Sequence, residues 1–133
     1  MPRVIRQSAT FKASPKDVYK VLMTSRLHSK VTGGKAVIST KVGGKWSAHD
    51  GYCHGVNLEL KPGKKIVQSW RVSYWPAHHY SVVTFVLTPV KGGTRLRFSH
   101  REVPDAQHES IKQGWIDFYW TPMRAFFSAQ GRA

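Results

Sequence analysis

The hydrophobic positions at the start of the chain follow first a strand period and then a helical one. Within residues 3–12 three of the four hydrophobic positions share one parity, as a half-buried strand requires, and Val4 has the other parity. The segment SPKD at 14–17 then predicts a helix start, because its serine can cap the helix and its proline suits the first helical position. A second short helix is predicted over 25–31. The positions that carry this pattern are Ile5, Ala9 and Phe11 in the strand and Val18, Val21 and Leu22 in the first helix.

Between residues 35 and 102 the hydrophobic period is two, and turn residues interrupt it repeatedly. Asp50-Gly51 indicates a tight hairpin, since both residues tolerate a positive φ. Pro62-Gly63 and Gly92-Gly93 mark later turns. The segments predicted as strands are 35–39, 45–49, 52–60, 65–75, 80–88 and 94–102.

Parity within these strands predicts which side chains face the core. In the strand at 52–60 we expect the even positions, His54 among them, to point inward and the odd positions to point outward. The strand at 94–102 alternates most regularly and places His100 inward. The other residues predicted to point inward are Val56, Leu58, Leu60, Leu96 and Phe98, and those predicted to point outward are Cys53, Asn57, Glu59, Arg95, Arg97 and Arg101.

The period returns to 3.6 in the last quarter of the chain, which predicts a long helix over 106–128. Pro122 removes one backbone donor and should kink this helix near residues 118–121. A curved antiparallel sheet needs a cover for its apolar face, and this helix is the obvious one. The fold class is therefore α+β, in one domain over 1–133. The predicted main stripe is Ile111, Trp115, Phe118, Pro122 and Phe126, widened by Ile116, Tyr119, Trp120, Met123 and Phe127.

The amino-acid composition limits the classes of function that the chain can have. Lysine and arginine number 21 against seven acidic residues in 133, a formal charge of +14, which attracts anionic partners. The single cysteine, Cys53, allows neither an internal disulfide nor a zinc cluster.

The sequence contains no signal peptide, no membrane span, no acid–base pair and no phosphate loop, so we expect a cytoplasmic protein that is not an enzyme and uses no cofactor. HDGYCH at 49–54 is not expected to form a Cys–His nucleophile, because neighbouring strand residues point to opposite sides.

Several segments of the chain resemble one known family. They are SPKDVYKVL, GGKWSAHDG, IVQSWRVSYWPAHHYSVVTF, GGTRLRFSH and HESIKQGW. Together they are similar to the C-terminal domain of the activators of the heat-shock protein 90 ATPase, within the START/Bet v 1-like (SRPBCC) superfamily. The resemblance implies a helix-grip fold: two short helices after the first strand, and a curved sheet wrapped around the C-terminal helix with a cavity between them. It also implies contact with the chaperone's ATPase domains. It implies binding rather than full activation, since the family's eukaryotic members carry a separate N-terminal domain.

The segment YWPAHHYS at 74–81 is the first candidate site. His78 and His79 should point to opposite sides of an extended segment, which disfavours a shared metal ion. Aromatic residues at a hairpin tip are typical of interface anchors, so Trp75, His78, His79 and Tyr80 are candidates for partner contact. The alternative is that Trp75 packs under its own loop.

The second candidate is a cavity under the last helix. His54 and His100 would be its polar handles, and the predicted walls are Trp70, Phe85, Phe98, Trp115 and Tyr119. Such a cavity suggests a carrier of a hydrophobic small molecule or lipid. The alternative is that the aromatic rings fill the space and each histidine bonds a tyrosine or a backbone group.

The third candidate is the outer face of the sheet, where Arg71, Arg95, Arg97 and Arg101 should form a basic stripe. Strand 94–102 shows no outward aromatic residue on which bases could stack, which counts against nucleic acid. The favoured hypothesis is a non-enzymatic, co-chaperone-like binding module, monomeric or homodimeric, that binds an acidic surface of a heat-shock protein 90-type chaperone or a similar protein. A solvated basic face without a partner is the alternative.

Overall fold

The computed structural model describes residues 4–76 and 78–130. Two short helices follow the first strand, and six further strands lead to a long C-terminal helical segment, so the predicted order of elements is confirmed. The predicted strand start at residue 3 lies outside the described residues. The elements are β1 Ile5–Phe11, α1 Pro15–Met23, α2 Ser25–Thr32, β2 Val37–Ile38, β3 Lys45–Ala48, β4 Cys53–Lys61, β5 Lys65–Val72, β6 Ser81–Val90, β7 Gly93–Arg101, a 3-10 turn Asp105–Gln107, α3 His108–Trp115, a π-helical turn Ile116–Trp120 and α4 Thr121–Gln130.

The seven strands form one antiparallel sheet in the order β1-β7-β6-β5-β4-β3-β2. The first strand pairs with the last, from Ile5 opposite His100 to Phe11 opposite Thr94. Helices α1 and α4 pack on the inner face of this sheet, and α2 packs on α4. The predicted curved sheet wrapped around a C-terminal helix is therefore confirmed. No helix within the described ranges is long and apolar enough to cross a bilayer.

The start of α1 has the cap that its sequence predicts. Ser14 Oγ accepts a hydrogen bond from the Asp17 backbone N–H at 3.2 Å, and Pro15 occupies the first helical position. The cap fixes the helix so that Val18, Val21 and Leu22 are buried. Gly33, with a φ of 81°, ends α2 in the left-handed conformation that glycine favours.

The predicted orientation of β4 is wrong over most of the strand. Cys53 and Asn57 are buried, whereas Leu58 is 47% exposed and His54 lies on the outer face. A β-bulge between Asn57 and Glu59 shifts the register against β5. Beyond the bulge Leu60 packs against the core as expected. The prediction continued the alternation of Leu60 back along the whole strand. Because the bulge adds one residue, this alternation assigns the residues before the bulge to the wrong face.

The C-terminal helical segment contains the irregularity predicted before Pro122. The Thr121 N–H donates to the Ile116 carbonyl five residues back, which defines a π turn. The extra residue in this turn rotates the buried stripe, so that Phe118 is 55% exposed and Phe126 only partly buried. After Trp115 the buried stripe is centred not on Phe118 and Phe126, as predicted, but on four of the residues predicted to widen it, which are Tyr119, Trp120, Met123 and Phe127. The residues buried along the segment are His108, Ile111, Trp115, Tyr119, Trp120, Met123 and Phe127.

Candidate pocket and partner surface

A pocket of about 500 Å³ lies between the C-terminal helical segment and the β3–β4 hairpin turn. The turn has three consecutive positive φ angles, at His49, Asp50 and Gly51, and it holds the His49 ring above the helix. That ring stacks edge-on against Phe118 and Tyr119, with centroids 5.8 and 5.6 Å away. The lining residues are His49, Tyr52, Cys53, Trp70, Ser110, Ile111, Gly114, Trp115, Phe118 and Tyr119.

Only part of the predicted cavity wall lines this pocket. Trp70, Trp115 and Tyr119 do so. Phe98 lies behind Trp115, with ring centroids 4.4 Å apart, and fills the core instead. Phe85 borders a separate void of about 10 Å³, which is at the limit of what one water molecule needs.

The two histidines predicted as polar groups of the cavity, His54 and His100, do not line the pocket. His54 is on the opposite face of the sheet, beside Tyr80, because β4 has the reversed orientation described above. His100 is fully buried behind Trp115 and is a core residue. The structure therefore corrects the face predicted for His54, whereas His100 points inward as predicted but packs in the core and does not line the pocket.

A directed chain of hydrogen bonds holds His100. The Trp115 indole N–H donates to His100 Nδ1 at 3.1 Å, so the ring proton must be on Nε2. Nε2 then donates to Ser81 Oγ at 2.7 Å, and that hydroxyl donates to the Trp70 carbonyl at 2.7 Å. Burial, with a smaller effect of His108, lowers the pKa of His100 to about 3. The ring is therefore neutral, and it ties the last helix to the sheet.

A second buried histidine, His28, was not predicted as a site residue. Its Nδ1–H donates to the Leu22 carbonyl at 3.1 Å, and its Nε2 accepts from the Tyr119 hydroxyl at 2.9 Å. Burial lowers the pKa of His28 to about 4, against a smaller opposing effect of the Leu22 bond. The available signal was the position of His28 on the apolar face of α2, between Leu27 and Val31.

The ionisable groups of the pocket do not form a nucleophilic centre. Burial raises the pKa of the Cys53 thiol to about 12, so the thiol stays protonated and weakly nucleophilic. Burial also lowers the pKa of His49. Among the described residues, no three His, Cys, Asp or Glu side chains are grouped as a metal ion would need. The pocket is an open, mainly apolar cleft with a few polar groups in its wall.

The loop between β5 and β6 contains the segment 74–81, and its structure corrects one prediction. Trp75 is only 4% exposed and packs edge-on against Trp70 and His79, so it is a core residue and not a surface anchor. The guanidinium of Arg71 donates to the carbonyls of Trp75 and Pro76 and so fixes the loop.

Two side chains of this loop remain presented to solvent. His78 and Tyr80 are exposed. His79 is partly buried and bonds the Glu102 carbonyl through Nε2 at 2.9 Å. Ala77 lies outside the described residues.

The outer face of the sheet is cationic where β7 crosses it. Arg95, Arg97 and Arg101 are exposed on one face of β7, as predicted, whereas the fourth predicted member of the stripe, Arg71 on β5, is partly buried and bonds the loop carbonyls. Pairing puts Arg95 beside Thr10 and Thr88, and Arg97 beside Ser8 and Val86.

Further lysines continue this cationic face over β4 and β5. Glu59 is the acidic residue within these strands, and two lysines, Lys61 and Lys65, lie 3.5 Å from its carboxylate. The surface can therefore attract anionic groups.

Comparison with known proteins gives a consistent result. Residues 12–128 match the family model described as "Activator of Hsp90 ATPase homolog 1-like protein". The human "Activator of 90 kDa heat shock protein ATPase homolog 1" is 32% identical over 123 residues, which are 92% of this chain and 36% of that protein. The homologous activator of Dictyostelium discoideum is 30% identical over 85% of this chain and 30% of its own length. The chain thus spans about a third of the curated relatives it matches.

Solved structures share the fold. An HSP90 activator from Plasmodium falciparum superposes with a TM-score of 0.89 at 23% identity, covering 94% of this chain and 96% of that one. The Aha1 dimer from Colwellia psychrerythraea superposes with a TM-score of 0.81 at 19% identity, covering 94% and 96%. Both have the helix-grip architecture described above.

Proposed function

The chain belongs to the family of Activator of Hsp90 ATPase homolog 1-like proteins, and from this premise we propose that it is a non-enzymatic binding module for a heat-shock protein 90-type chaperone. The family match over 12–128 is the observation that carries the proposal. The proposed partner implies a cytoplasmic location.

The cationic outer face is the surface that we propose for docking. Arg95, Arg97 and Arg101 project from one strand, where an acidic protein surface can approach without meeting the core aromatics. The exposed residues His78 and Tyr80 extend this surface in the loop between the end of β5 and the start of β6. Charge of one sign over such an area speeds association and selects anionic partners.

The effect on the chaperone would be a shift of its conformations. A module that binds the closed, ATP-competent arrangement more tightly than the open one increases the population of the closed arrangement, and only differential affinity does this. The chain spans about a third of the curated relatives it matches, and docking is the contribution that we propose for it.

The test is a binding titration of the purified protein with the chaperone at low and at moderate salt. We expect binding at low salt that weakens as salt rises, since the contacts are between charged surfaces. Absence of binding at low salt would end the proposal. Titration with a nucleic acid duplex is the comparison, because retention of nucleic acid with a steep salt dependence would favour a different partner.

The pocket supports a second candidate function, the binding of a hydrophobic small molecule. Its volume of about 500 Å³ is within the usual range for ligand pockets, and its wall is mainly aromatic. The hydroxyl of Tyr52 and the ring of His49 could orient a polar end of such a ligand. Mass spectrometry of the protein purified under native conditions tests this directly, and a protein that retains and binds no lipid or aromatic compound would exclude it.

The oligomeric state can be measured on the same purified protein. The Colwellia relative is described as a dimer in solution, and sedimentation of this chain distinguishes a monomer from a homodimer.

A further inference from the structure

The outer face of the sheet carries a second feature, an open groove of about 770 Å³ over β2 to β5. It is separate from the pocket under the helix. We call it the outer groove. Its residues are Val37, Lys45, Trp46, Ser47, His54, Gly55, Val56, Ser69 and Tyr80.

The groove exists because the sheet is locally irregular. A side chain at Gly55 would collide with the Ser69 carbonyl, so this position must be glycine. The Trp46 indole donates to that same carbonyl at 3.0 Å. The Val56 N–H bonds the Ser69 hydroxyl at 2.9 Å. The Ser69 hydroxyl, and not a backbone carbonyl, accepts from Val56, so the pairing of β4 with β5 is interrupted at Gly55 and Val56 on the floor of the groove.

The rim of the groove exposes apolar side chains. Val37 is 56% exposed, and Tyr80, whose ring lies edge-on to His54, is 44% exposed. A concave apolar site of this kind favours one large side chain of a partner, as interface anchors require.

Cationic groups flank the groove in a line across the sheet. Lys45 pairs with Val56, Val56 bonds Ser69, Ser69 pairs with Val82, and Val82 pairs with Arg101. Four inter-strand steps separate Lys45 from Arg101, about 19 Å at the usual strand spacing. None of the residues that line the groove is acidic.

We propose that the outer groove binds a partner peptide segment in which one aromatic side chain is flanked by carboxylates. The aromatic side chain would lie in the groove between Val37 and Tyr80, and the carboxylates would reach Lys45 on one side and Arg101 on the other. The identity of the partner rests on the proposed function, because the groove would be the place where a segment of the chaperone anchors. The recognition chemistry itself can be tested without the chaperone.

The experiment uses two synthetic peptides that differ at one residue. Both carry glutamates on either side of a central position, which is tryptophan in one peptide and glycine in the other. Because their charge is equal, attraction to the basic protein is the same for both. We expect the tryptophan peptide to bind about tenfold tighter, as expected for an anchor side chain, and to shift the amide resonances of Val37, Gly55 and Val56.

A matched pair of variants locates the anchor. Val37→Glu puts a carboxylate on the groove rim, whereas Val42→Glu makes the same change at a valine that is 64% exposed and outside the groove. The tryptophan advantage should disappear in Val37→Glu and persist in Val42→Glu. Neither valine is buried, so both variants are expected to fold.

Three results would overturn the proposal: equal affinity for the two peptides, amide shifts centred on another surface, or shifts of the groove amides that depend on protein concentration alone. The last result would assign the groove to a second copy of this chain. Tryptophan-dependent binding without any chaperone binding would instead overturn the proposed function and leave the groove as a peptide site.

Discussion

At the scale of single residues, two neutral histidines with opposite tautomers fix the C-terminal helical segment: His28 joins it to α1 and α2, and His100 joins it to the sheet. His28 carries its proton on Nδ1 and accepts from Tyr119, whereas His100 carries its proton on Nε2 and accepts from Trp115. Protonation of His100 would place a second donor against the indole N–H, which has no lone pair to accept it. Each imidazole ring therefore donates one hydrogen bond and accepts another inside the fold, and both histidines are structural residues.

Ser81 is the residue on which the His100 network depends most. It is fully buried, accepts from the imidazole and donates to the Trp70 carbonyl. Ser81→Ala should lower the free energy of unfolding by about 1–3 kcal/mol, because it leaves two buried groups unpaired. Ser99→Ala, on the outer face of β7, is the matched control and should change it by less than about 0.5 kcal/mol. Urea denaturation measures both, and equal effects would contradict the network.

The histidines also predict how stability depends on pH. Their pKa values are lowered, to about 4 for His28 and about 3 for His100, so the unfolded chain binds more protons below its ordinary histidine pKa. Their contribution is complete above about pH 6.5 and is lost as the pH falls towards the lowered values. Between pH 7.5 and 5 each should cost about 1–2 kcal/mol of unfolding free energy.

Denaturation curves at these two pH values provide the measurement, and His100→Gln is the comparison because it removes one of the two titrating groups. A smaller pH dependence in this variant is expected. An NMR titration that gives either buried histidine a pKa near 6.5 would contradict the account.

At the scale of elements, the π turn decides which face of the last helical segment is buried. Phe127→Ala should lower the free energy of unfolding by about 3–5 kcal/mol, since Phe127 is 3% exposed and packs on Phe11. Phe118→Ala should cost less than about 1 kcal/mol, because Phe118 is 55% exposed. Thermal or urea unfolding compares the two. A large loss for Phe118→Ala would indicate that the helix continues without the turn.

The elements themselves could be predicted from the sequence because their signals are local. A capping serine, a proline at the first helical position and alternation over nine residues each act within one element. The alternation of β7 placed its arginines outside and His100 inside correctly.

The failures in prediction occur where one residue changes the register. A bulge in β4 reversed His54, and the π turn exchanged Phe118 for Tyr119 on the buried face. Neither insertion changes the amino-acid composition or the hydrophobic period of its segment enough to be recognised from the sequence. The pocket was therefore predicted in the right place under the helix but with only three of its lining residues, Trp70, Trp115 and Tyr119.

At the scale of the whole molecule, aromatic packing and positive charge are on opposite faces of the sheet. Trp70, Trp115 and Phe98 fill the inner side, whereas Arg95 and Arg97 lie outside. Because of this separation the outer face can change its charge without disturbing the core. Docking can therefore be tested by charge reversal in a protein that stays folded.

Docking of the basic outer face on an acidic chaperone surface is tested most directly by the association rate constant. Arg95→Glu/Arg97→Glu and the control Lys20→Glu/Arg26→Glu change the net charge equally, and all four side chains are exposed. The control residues lie on α1 and α2, which do not belong to the outer face. Stopped-flow mixing with the chaperone at low salt should give a rate about tenfold lower or more for the β7 variant, with a clearly smaller change for the control. Equal rates for the two variants would contradict docking through this face.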